Sequence, residues 1–386
     1  MTGPHTKKDL SAFMKIAIIT LPLNTNYGGI LQAYALQTVL QRMGHDVQHL
    51  QPKVEFHPLH PVWKMPFVWS KRLLRKCFGG EWRLPVFEHP HRWIRRYTDV
   101  FIYKHIEMRP LSDEEWNASL AKDYDVFMVG SDQVWRPCYA LPLERYFLSF
   151  LDDTGSNPRI AYAASFGTEN CEFSANQILD CRKLLQKFSF VSVREQSGTE
   201  ICKRIFGVNA SHVLDPTLLL SKDDYLKLIQ DQSPSKGNLM VYILDETPDT
   251  QLFISQIAAS EKLIPFNTNY SLGNRLGIPQ LPVENWLRGF VDAKLIITDS
   301  FHACVFAIIF NKPFICIGNS ERGMERFHSL LDLFGLQHCL INLNSFCGVP
   351  FIDWNSVNTR LEEFRECSLK DLKRVLKTFE RGRGSN

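Results

Sequence analysis

Short apolar runs rich in β-branched residues alternate with helical patterns along most of the chain. Residues 294–310, KLIITDSFHACVFAIIF, contain one such unit, because a buried-strand pattern passes directly into an apolar helix. The same strand pattern recurs at residues 15–21, 125–129, 159–163, 190–194, 211–214, 239–244, 263–267 and 313–317. Strands that alternate with helices predict parallel sheets and therefore an α/β fold.

The length of the chain predicts more than one domain. At 386 residues it exceeds the size at which a single hydrophobic core keeps growing. The polar, turn-rich residues 221–237 separate two sets of strands and are the best linker candidate. We expect a disordered leader over 1–13, an N-terminal domain over 14–225 with an insertion at about 58–96, a C-terminal domain over 236–356, and a helix over 357–386 that packs back across the junction.

Composition narrows the functional classes. A net charge of +3 argues against a nucleic-acid-binding protein, so no nucleic-acid partner is expected. The ten cysteines show neither C-x-x-C pairs nor metal-ligand spacing, which favours a reducing cytoplasm and predicts no bound metal. No signal peptide and no run of 18 apolar residues is present, so a cytoplasmic protein is expected.

One histidine lies where the strand at 294–298 gives way to the following helix. Asp299 or Ser300 can cap that helix, and Phe301 and His302 then fall in its first turn. Open α/β sheets bind ligands at this end of their strands, and the N–H groups of the first turn favour an anion. The alternative interpretation is a polar capping residue or a half-buried histidine with its hydrogen bonds satisfied.

A glycine pair follows the first strand in NTNYGGIL, residues 24–31. Asn26, Gly28 and Gly29 open the next helix, where glycine permits close backbone approach and N–H groups can bind a phosphate or carboxylate. The motif is neither G-x-G-x-x-G nor a P-loop, which disfavours dinucleotide and P-loop nucleotide binding. The alternative is a tight turn that needs glycine for its geometry.

Three further strand ends carry polar side chains. In VGSDQVW, Asp132 is a candidate base and Trp135 a candidate sugar-stacking ring; the alternatives are a helix cap and a core tryptophan. Arg194 in SVREQ suits a carboxylate or phosphate, or else forms an ion pair with Glu195 or a neighbour. Residues 318–326, GNSERGMER, could reach an anion at the same sheet edge.

Longer motifs follow one another in a recognisable order. They are NTNYGGILQAYALQ, VGSDQVW, YFLSF, RIAYAASFG, VSVREQSG, HVLDPTLLL, ITDSFHACVFA and NKPFICIGNSERGMERF. Through them the chain resembles the polysaccharide pyruvyl transferase family. The resemblance implies two Rossmann-like domains facing a central cleft, similar to GT-B glycosyltransferases. It also implies transfer of pyruvate from phosphoenolpyruvate to a hexose of a cell-surface polysaccharide precursor as a ketal, with release of phosphate and no further cofactor.

The resemblance also suggests roles for individual residues. It associates His302 and Arg194 with donor binding and catalysis, and we expect His302 to be the general acid and Asp132 the base for the acceptor. It implies an arginine two residues before the histidine, where this chain has Ser300, so Arg322 or Arg326 is the expected replacement. Trp135 and Asp132 are the expected acceptor contacts. The expected donor contacts are Asn26, Gly28, Gly29, Arg194, Ser300, Phe301, Arg322 and Arg326.

One basic segment of the sequence bears on the acceptor. Residues 61–78, PVWKMPFVWSKRLLRKCF, mix basic and large apolar side chains without an acidic residue. This pattern suits peripheral contact with an anionic membrane that carries a lipid-linked oligosaccharide, or equally a solvated basic face over core aromatics. Two other functions compete: a GT-B glycosyltransferase that uses a nucleotide sugar, and a non-catalytic protein that binds glycans or anions.

Overall fold

The computed structural model describes residues 13–54, 90–152, 157–268, 279–318, 323–343, 346 and 348–383. Residues 1–12 of the predicted leader, most of the predicted insertion with its basic stretch 61–78, and Arg322 lie outside the described residues. Within the described part of the chain, no helix is both long enough and apolar enough to cross a membrane.

Seven parallel strands form the first sheet, in the order β3-β2-β1-β4-β5-β6-β7. The strands are β1 (Lys15–Ile19), β2 (Asp46–Pro52), β3 (Met108–Leu111), β4 (Val126–Val129), β5 (Arg159–Ala164), β6 (Phe190–Val193) and β7 (Ser211–His212). Helices that accompany this sheet are α1 (Tyr27–Arg42), α2 (Pro90–His105), α3 (Ala175–Leu185), α4 (Gln196–Ile201) and α5 (Lys222–Leu226).

Five parallel strands form the second sheet, in the order β12-β11-β10-β8-β9. The strands are β8 (Leu239–Tyr242), β9 (Pro265–Asn267), β10 (Leu295–Thr298), β11 (Phe314–Ile317) and β12 (Leu340–Ile341). The remaining helices are α6 (Pro248–Ser260), α7 (Val283–Asp292), α8 (Phe301–Phe310), α9 (Glu325–Phe334) and α10 (Trp354–Arg383). The predicted α/β fold with two parallel sheets is therefore confirmed.

One hydrophobic core joins the helices that lie between the two sheets. All ten residues of α8 are buried, as expected for a helix that is apolar on every side. Tyr27 at the start of α1 stacks on Trp286 of α7 with ring centroids 5.2 Å apart, and its hydroxyl donates to the Leu281 carbonyl at 2.8 Å. The start of α1 is thus fixed against the second sheet's helices.

Helix α10 contacts both halves of the molecule. The Leu214 N–H donates to Ser368 Oγ at 3.1 Å, and Arg365 Nε donates to the Leu218 carbonyl at 2.8 Å. On the other side, Phe364 meets Phe334 of α9 edge to face. The helix therefore ties the two halves together from the outside.

Strand order reverses once in each sheet, and each reversal opens a crevice. In the first sheet β1 lies between β2 and β4, and in the second β8 lies between β9 and β10, so the crevices open between β1 and β4 and between β8 and β10. Ligands of open α/β sheets bind outside the carboxyl ends of the strands at such points. Asn26 and Asp132 lie in the loops that follow β1 and β4, and His302 lies in the first turn of α8, which follows β10.

Two local expectations differ from the structure. Strand β2 was not predicted from the sequence, because two buried polar residues, His49 and Gln51, interrupt its apolar run. The predicted linker 221–237 begins with helix α5, which Ser221 and Asp224 cap reciprocally and which buries Tyr225 in the core. Polar composition alone could not show that this aromatic ring anchors the segment.

Candidate active site

The loop after β4 presents Asp132 in an uncommon backbone conformation. Its φ is +80°, a region that a non-glycine residue occupies at a cost, and such residues concentrate at functional sites. The Asp132 backbone is held there by the next strand, because its carbonyl accepts from the Ser165 N–H at 3.1 Å. Its carboxylate atom Oδ1 accepts from the Gln133 N–H at 2.9 Å.

Arg194, directly after β6, lies at the centre of a buried set of charges. Its Nη1 donates to Oδ2 of Asp215 at 2.8 Å, and its Nη2 lies 3.3 Å from Oδ1 of Asp132. Burial disfavours its charge, but Asp215 and then Asp132 more than compensate, so the Arg194 pKa is raised. The guanidinium is therefore engaged by two carboxylates of its own domain, so the alternative of an ion pair with a neighbour holds, but in the interior rather than at the surface.

Asp215 is a member of the site that the sequence analysis missed. Its Oδ1 accepts from the Thr217 N–H at 3.0 Å and the Thr217 hydroxyl at 2.6 Å, and its Oδ2 accepts from the Ser131 hydroxyl at 3.1 Å. Burial raises its pKa, but His302, Arg194 and Thr217 outweigh that effect and hold the pKa well below its ordinary value. Asp215 is thus an ionised carboxylate in the interior.

His302 reaches this carboxylate from the second sheet. Its Nε2 lies 3.7 Å from Oδ2 of Asp215, while the ring is almost fully buried in the first turn of α8. The other side of the ring lies against α1, since a Cβ atom on Gly28 would come within 2.1 Å of Nδ1. Gly28 is therefore required so that the two halves can close around the histidine. We call Asp132, Arg194, Asp215 and His302 the interdomain charge cluster.

Two guanidinium groups flank the ring of Phe301, beside the cluster. The Cζ atoms of Arg194 and Arg326 lie 4.7 Å and 5.5 Å from the ring centroid. Burial, followed by the like charge of Arg194, lowers the pKa of Arg326 to about 10. A buried arginine repelled by a second arginine gains stability from a nearby anion. The structure thus places Arg194 and Arg326 beside the same ring, that of Phe301.

The comparisons with known proteins bear on this geometry. Residues 26–321 match the family model for polysaccharide pyruvyl transferases, a stretch that carries every member of the interdomain charge cluster. The chain belongs to the polysaccharide pyruvyl transferase family. It is therefore a member of a transferase family. A comparison with curated proteins gives no match.

Several solved structures are similar to this chain at low sequence identity. One is a UDP-GlcNAc 2-epimerase from Neisseria meningitidis, at 11% identity over 92% of this chain and 93% of that chain, with a TM-score of 0.45. Another is a UDP-N-acetylglucosamine 2-epimerase from Rickettsia bellii, at 9% identity over 96% and 97%, with a TM-score of 0.43. A third is E. coli ADP-heptose lps heptosyltransferase II, at 12% identity over 91% and 99%, with a TM-score of 0.35.

The structure corrects one predicted site residue of this family member. Trp135 is fully buried, stacks on Phe147 at a centroid distance of 5.3 Å, and donates its indole N–H to the Tyr146 carbonyl at 3.0 Å. It belongs to the core of the first domain and has no free face for a sugar. The prediction of Trp135 as an acceptor contact is wrong, because three residues after Asp132 the chain has already turned inward.

The loop at the start of α8 also differs from expectation. Asp299 does not cap α8; its two carboxylate oxygens accept from the Leu244 and Asp245 N–H groups at 2.7 Å and 3.0 Å. Ser300 occupies the N-cap position but makes no capping bond through its side chain. Asp299 thus ties the end of β10 to the loop after β8, which fixes the place from which His302 projects.

Glu195 is a buried neighbour of Arg194 in the interdomain charge cluster. It is fully buried, and its Oε1 accepts from the Phe166 and Gly167 N–H groups at 2.6 Å and 3.2 Å. Burial is the main reason that the pKa of Glu195 is raised. Gly323, at φ +88°, packs so closely that a Cβ atom there would come within 2.0 Å of the Gly167 carbonyl oxygen. The predicted donor loop 318–326 therefore ends in contact with the first domain.

Proposed function

We propose that the protein transfers pyruvate from phosphoenolpyruvate to a pair of hydroxyl groups on a hexose, with the interdomain charge cluster as the catalytic centre. Family membership supports the class of reaction. The observation that carries the proposal is the contact between His302 and Asp215, since a histidine beside an ionised carboxylate is well placed to hold and deliver a proton.

The reaction needs a proton at the methylene carbon of the donor. His302 supplies that proton, which leaves a methyl group and an electron-poor adjacent carbon. Asp215 lies at Nε2 and holds the ring in place for this step. A positioned acid of this kind contributes about 10²–10⁴-fold to a rate.

Two hydroxyl groups then complete the ketal. The first attacks the electron-poor carbon as Asp132 takes its proton, and a carbon–oxygen bond forms. The bond to the phosphate oxygen breaks next, and inorganic phosphate leaves. The second hydroxyl of the same hexose closes the ring and gives its proton to His302, and the proton on Asp132 leaves with the phosphate as hydrogen phosphate. The product is a pyruvate ketal plus phosphate, so atoms and charges balance.

The donor is an anion, and the neighbourhood of Phe301 suits one. Arg194 is engaged by Asp132 and Asp215, so its main effect is to hold those carboxylates in place. Arg326 lies near the same ring with a pKa lowered by burial and by Arg194. We infer that Arg326 takes the place of the arginine expected at Ser300 in binding the donor, because an anion relieves both penalties.

The test replaces the proposed acid. In His302→Gln, we expect pyruvyl transfer to fall by about 10²–10⁴-fold while phosphoenolpyruvate still binds. Mass detection of the pyruvyl increment on a panel of hexose acceptors measures transfer, and thermal shift measures binding. Near-normal turnover in this variant would remove His302 from the mechanism.

A donor comparison separates this proposal from a glycosyltransferase. A ligand at 100 times its Kd adds about 2.7 kcal/mol to the free energy of unfolding. We expect this stabilisation with phosphoenolpyruvate and none with UDP, GDP or CMP sugars. Stabilisation by a nucleotide sugar alone would contradict the proposal.

We also infer that the acceptor is lipid-linked and that the basic stretch 61–78 meets the anionic inner face of the cell membrane. The support is its composition of basic and large apolar side chains without an acidic residue. Flotation with anionic vesicles tests the idea, and absence of binding would end it.

A further inference from the structure

The loops after β1 and β4 enclose a cavity of about 380 Å³ beside the interdomain charge cluster. Its described lining includes Leu23, Asn24, Asn26, Asp132, Gln133 and Tyr139. The volume is at the small end of the roughly 300–1,000 Å³ typical of small-molecule sites. It lies at the strand-order reversal of the first sheet, where ligands are expected.

We propose that this cavity is the acceptor subsite and takes one uncharged, hydroxyl-rich pyranose unit, an inference that rests on the proposed function for the use of that sugar. Asn26 and Gly29, which the sequence assigned to the donor, then belong to the acceptor side. Three independent features of the cavity lead to this assignment: its charge, the orientation of its amide groups, and its aromatic wall.

The charge of the cavity disfavours the donor. Among the described lining residues the only charged side chain at neutral pH is Asp132, a carboxylate. An anion as highly charged as phosphoenolpyruvate would be repelled there, whereas Arg194 and Arg326 lie around Phe301. The donor and the acceptor are thus separated by charge, and they meet at Asp132.

The amide groups are oriented as donors. The Asn24 Oδ1 accepts from the Thr25 N–H at 2.6 Å, and the Asn26 Oδ1 accepts from the Gly29 N–H at 3.2 Å. The Gln133 Oε1 accepts from Arg136 at 3.3 Å. Their oxygens are therefore used by the protein, and their NH₂ groups are available for the lone pairs of hydroxyl oxygens.

One acceptor complements these donors. Oδ1 of Asp132 is engaged by Gln133 and Arg194, whereas Oδ2 is directed towards Gly29, 3.3 Å from where a Cβ atom there would be. A hydroxyl that donates to Oδ2 is held at Gly29, one residue along α1 from Gly28, which contacts His302. Several donors around one carboxylate match vicinal hydroxyl groups, of which one is to lose its proton.

Tyr139 supplies the aromatic wall that Trp135 cannot. It is 44% exposed, and the guanidinium of Arg136 lies 5.2 Å from its ring centroid. Arg136 is itself held by Glu172 through contacts at 2.9 Å and 3.0 Å. The ring is therefore held in place before a ligand arrives, which suits stacking against the apolar face of a sugar.

The test measures sugar binding and donor binding separately. Saturation-transfer NMR with methyl pyranosides of galactose, glucose and mannose measures sugar binding. Thermal shift with phosphoenolpyruvate measures donor binding. In Tyr139→Ala and Gln133→Ala we expect the apparent Kd of the pyranoside to rise about tenfold, the effect of one lost hydrogen bond or stacking contact, with an unchanged response to phosphoenolpyruvate. Tyr103→Ala, at a tyrosine that is 76% exposed on α2, is the matched control and should bind sugar normally.

Each outcome decides one of the two proposals. Pyranoside binding that no cavity variant weakens, or no pyranoside binding at all, overturns the acceptor subsite. Loss of the phosphoenolpyruvate response in Tyr139→Ala would place the donor in the cavity instead. Tyr139-dependent sugar binding without any transfer from phosphoenolpyruvate would leave the subsite in place and refute the proposed reaction.

Discussion

Nε2 of His302 lies 3.7 Å from Oδ2 of Asp215, across the boundary between the two α/β halves. The two residues come from different halves: α8 carries the histidine, and the loop after β7 carries the carboxylate. Because Asp215 is also held by Arg194, Ser131 and Thr217, its position is set before the two halves meet. The active site therefore depends on how the two sheets are joined.

Asp215→Asn tests whether this carboxylate positions His302 for proton transfer. The amide keeps the size of the side chain but cannot be ionised beside His302. We expect kcat to fall by about 10²-fold or more, within the range of a positioned acid, with little change in the Kd of phosphoenolpyruvate. Thr217→Ala, which removes one hydrogen bond to Asp215 and leaves its charge, is the control and should lose far less. An unchanged kcat in folded Asp215→Asn would show that Asp215 is purely structural.

Sequence patterns located most residues of this site but not the contacts between them. Asp132, Arg194 and His302 each end an apolar run, so the rule that ligands bind at strand ends identified them. Asp215 also follows a predicted strand, at 211–214, but it was missed because Asp215-Pro216 has the pattern of an ordinary turn. The contact of Gly28 with His302 joins residues far apart in the chain, which no local pattern reports.

Trp135 illustrates a different limit. The spacing of hydrophobic residues identifies apolar side chains. It does not predict which way such a side chain points after a turn like the one at Asp132, where φ is positive. Tyr139, four residues later, lines the cavity instead. The prediction of Trp135 failed because the turn at Asp132 decides which aromatic residue faces the cavity.

Gly28→Ala should inactivate the enzyme without unfolding it. A Cβ atom would come within 2.1 Å of His302 Nδ1, so the ring must move, although alanine itself favours a helix by about 1 kcal/mol. We expect a loss of transfer approaching that of His302→Gln, measured by steady-state kinetics. Gly289→Ala, within α7, is the matched control, because its nearest contact would be 3.2 Å from the flexible Met240 side chain at Sδ and can adjust. Equal activity in the two variants would contradict the contact.

Trp135→Ala should cost stability rather than acceptor binding. The indole is fully buried against Phe147 and Phe166, so its removal leaves a cavity that typically costs about 3–5 kcal/mol of the free energy of unfolding. Urea denaturation measures this loss, and kinetics on the folded fraction should show an unchanged acceptor KM. A raised acceptor KM with normal stability would restore Trp135 as a sugar contact.

Arg194→Met should destabilise the fold in a pH-dependent way. Removing the guanidinium leaves Asp132 and Asp215 buried without their partner, which typically costs about 3–5 kcal/mol at neutral pH. In the folded wild type the pKa of Asp215 is depressed, so its ionised form stabilises the fold above the ordinary value of 3.8, and this contribution is lost as the pH falls below it.

The stability difference between Arg194→Met and the wild type should therefore narrow as the pH falls below about 4, because protonation then removes the charge that the arginine compensates. Urea denaturation across pH 3–7 measures it, with Arg109→Met as the control. Arg109 pairs with Asp123 at 2.7 Å near the surface, and its loss should cost no more than about 1 kcal/mol at any pH. A difference for Arg194→Met that stays constant across the whole range would mean that its cost comes from lost packing rather than from the buried carboxylates.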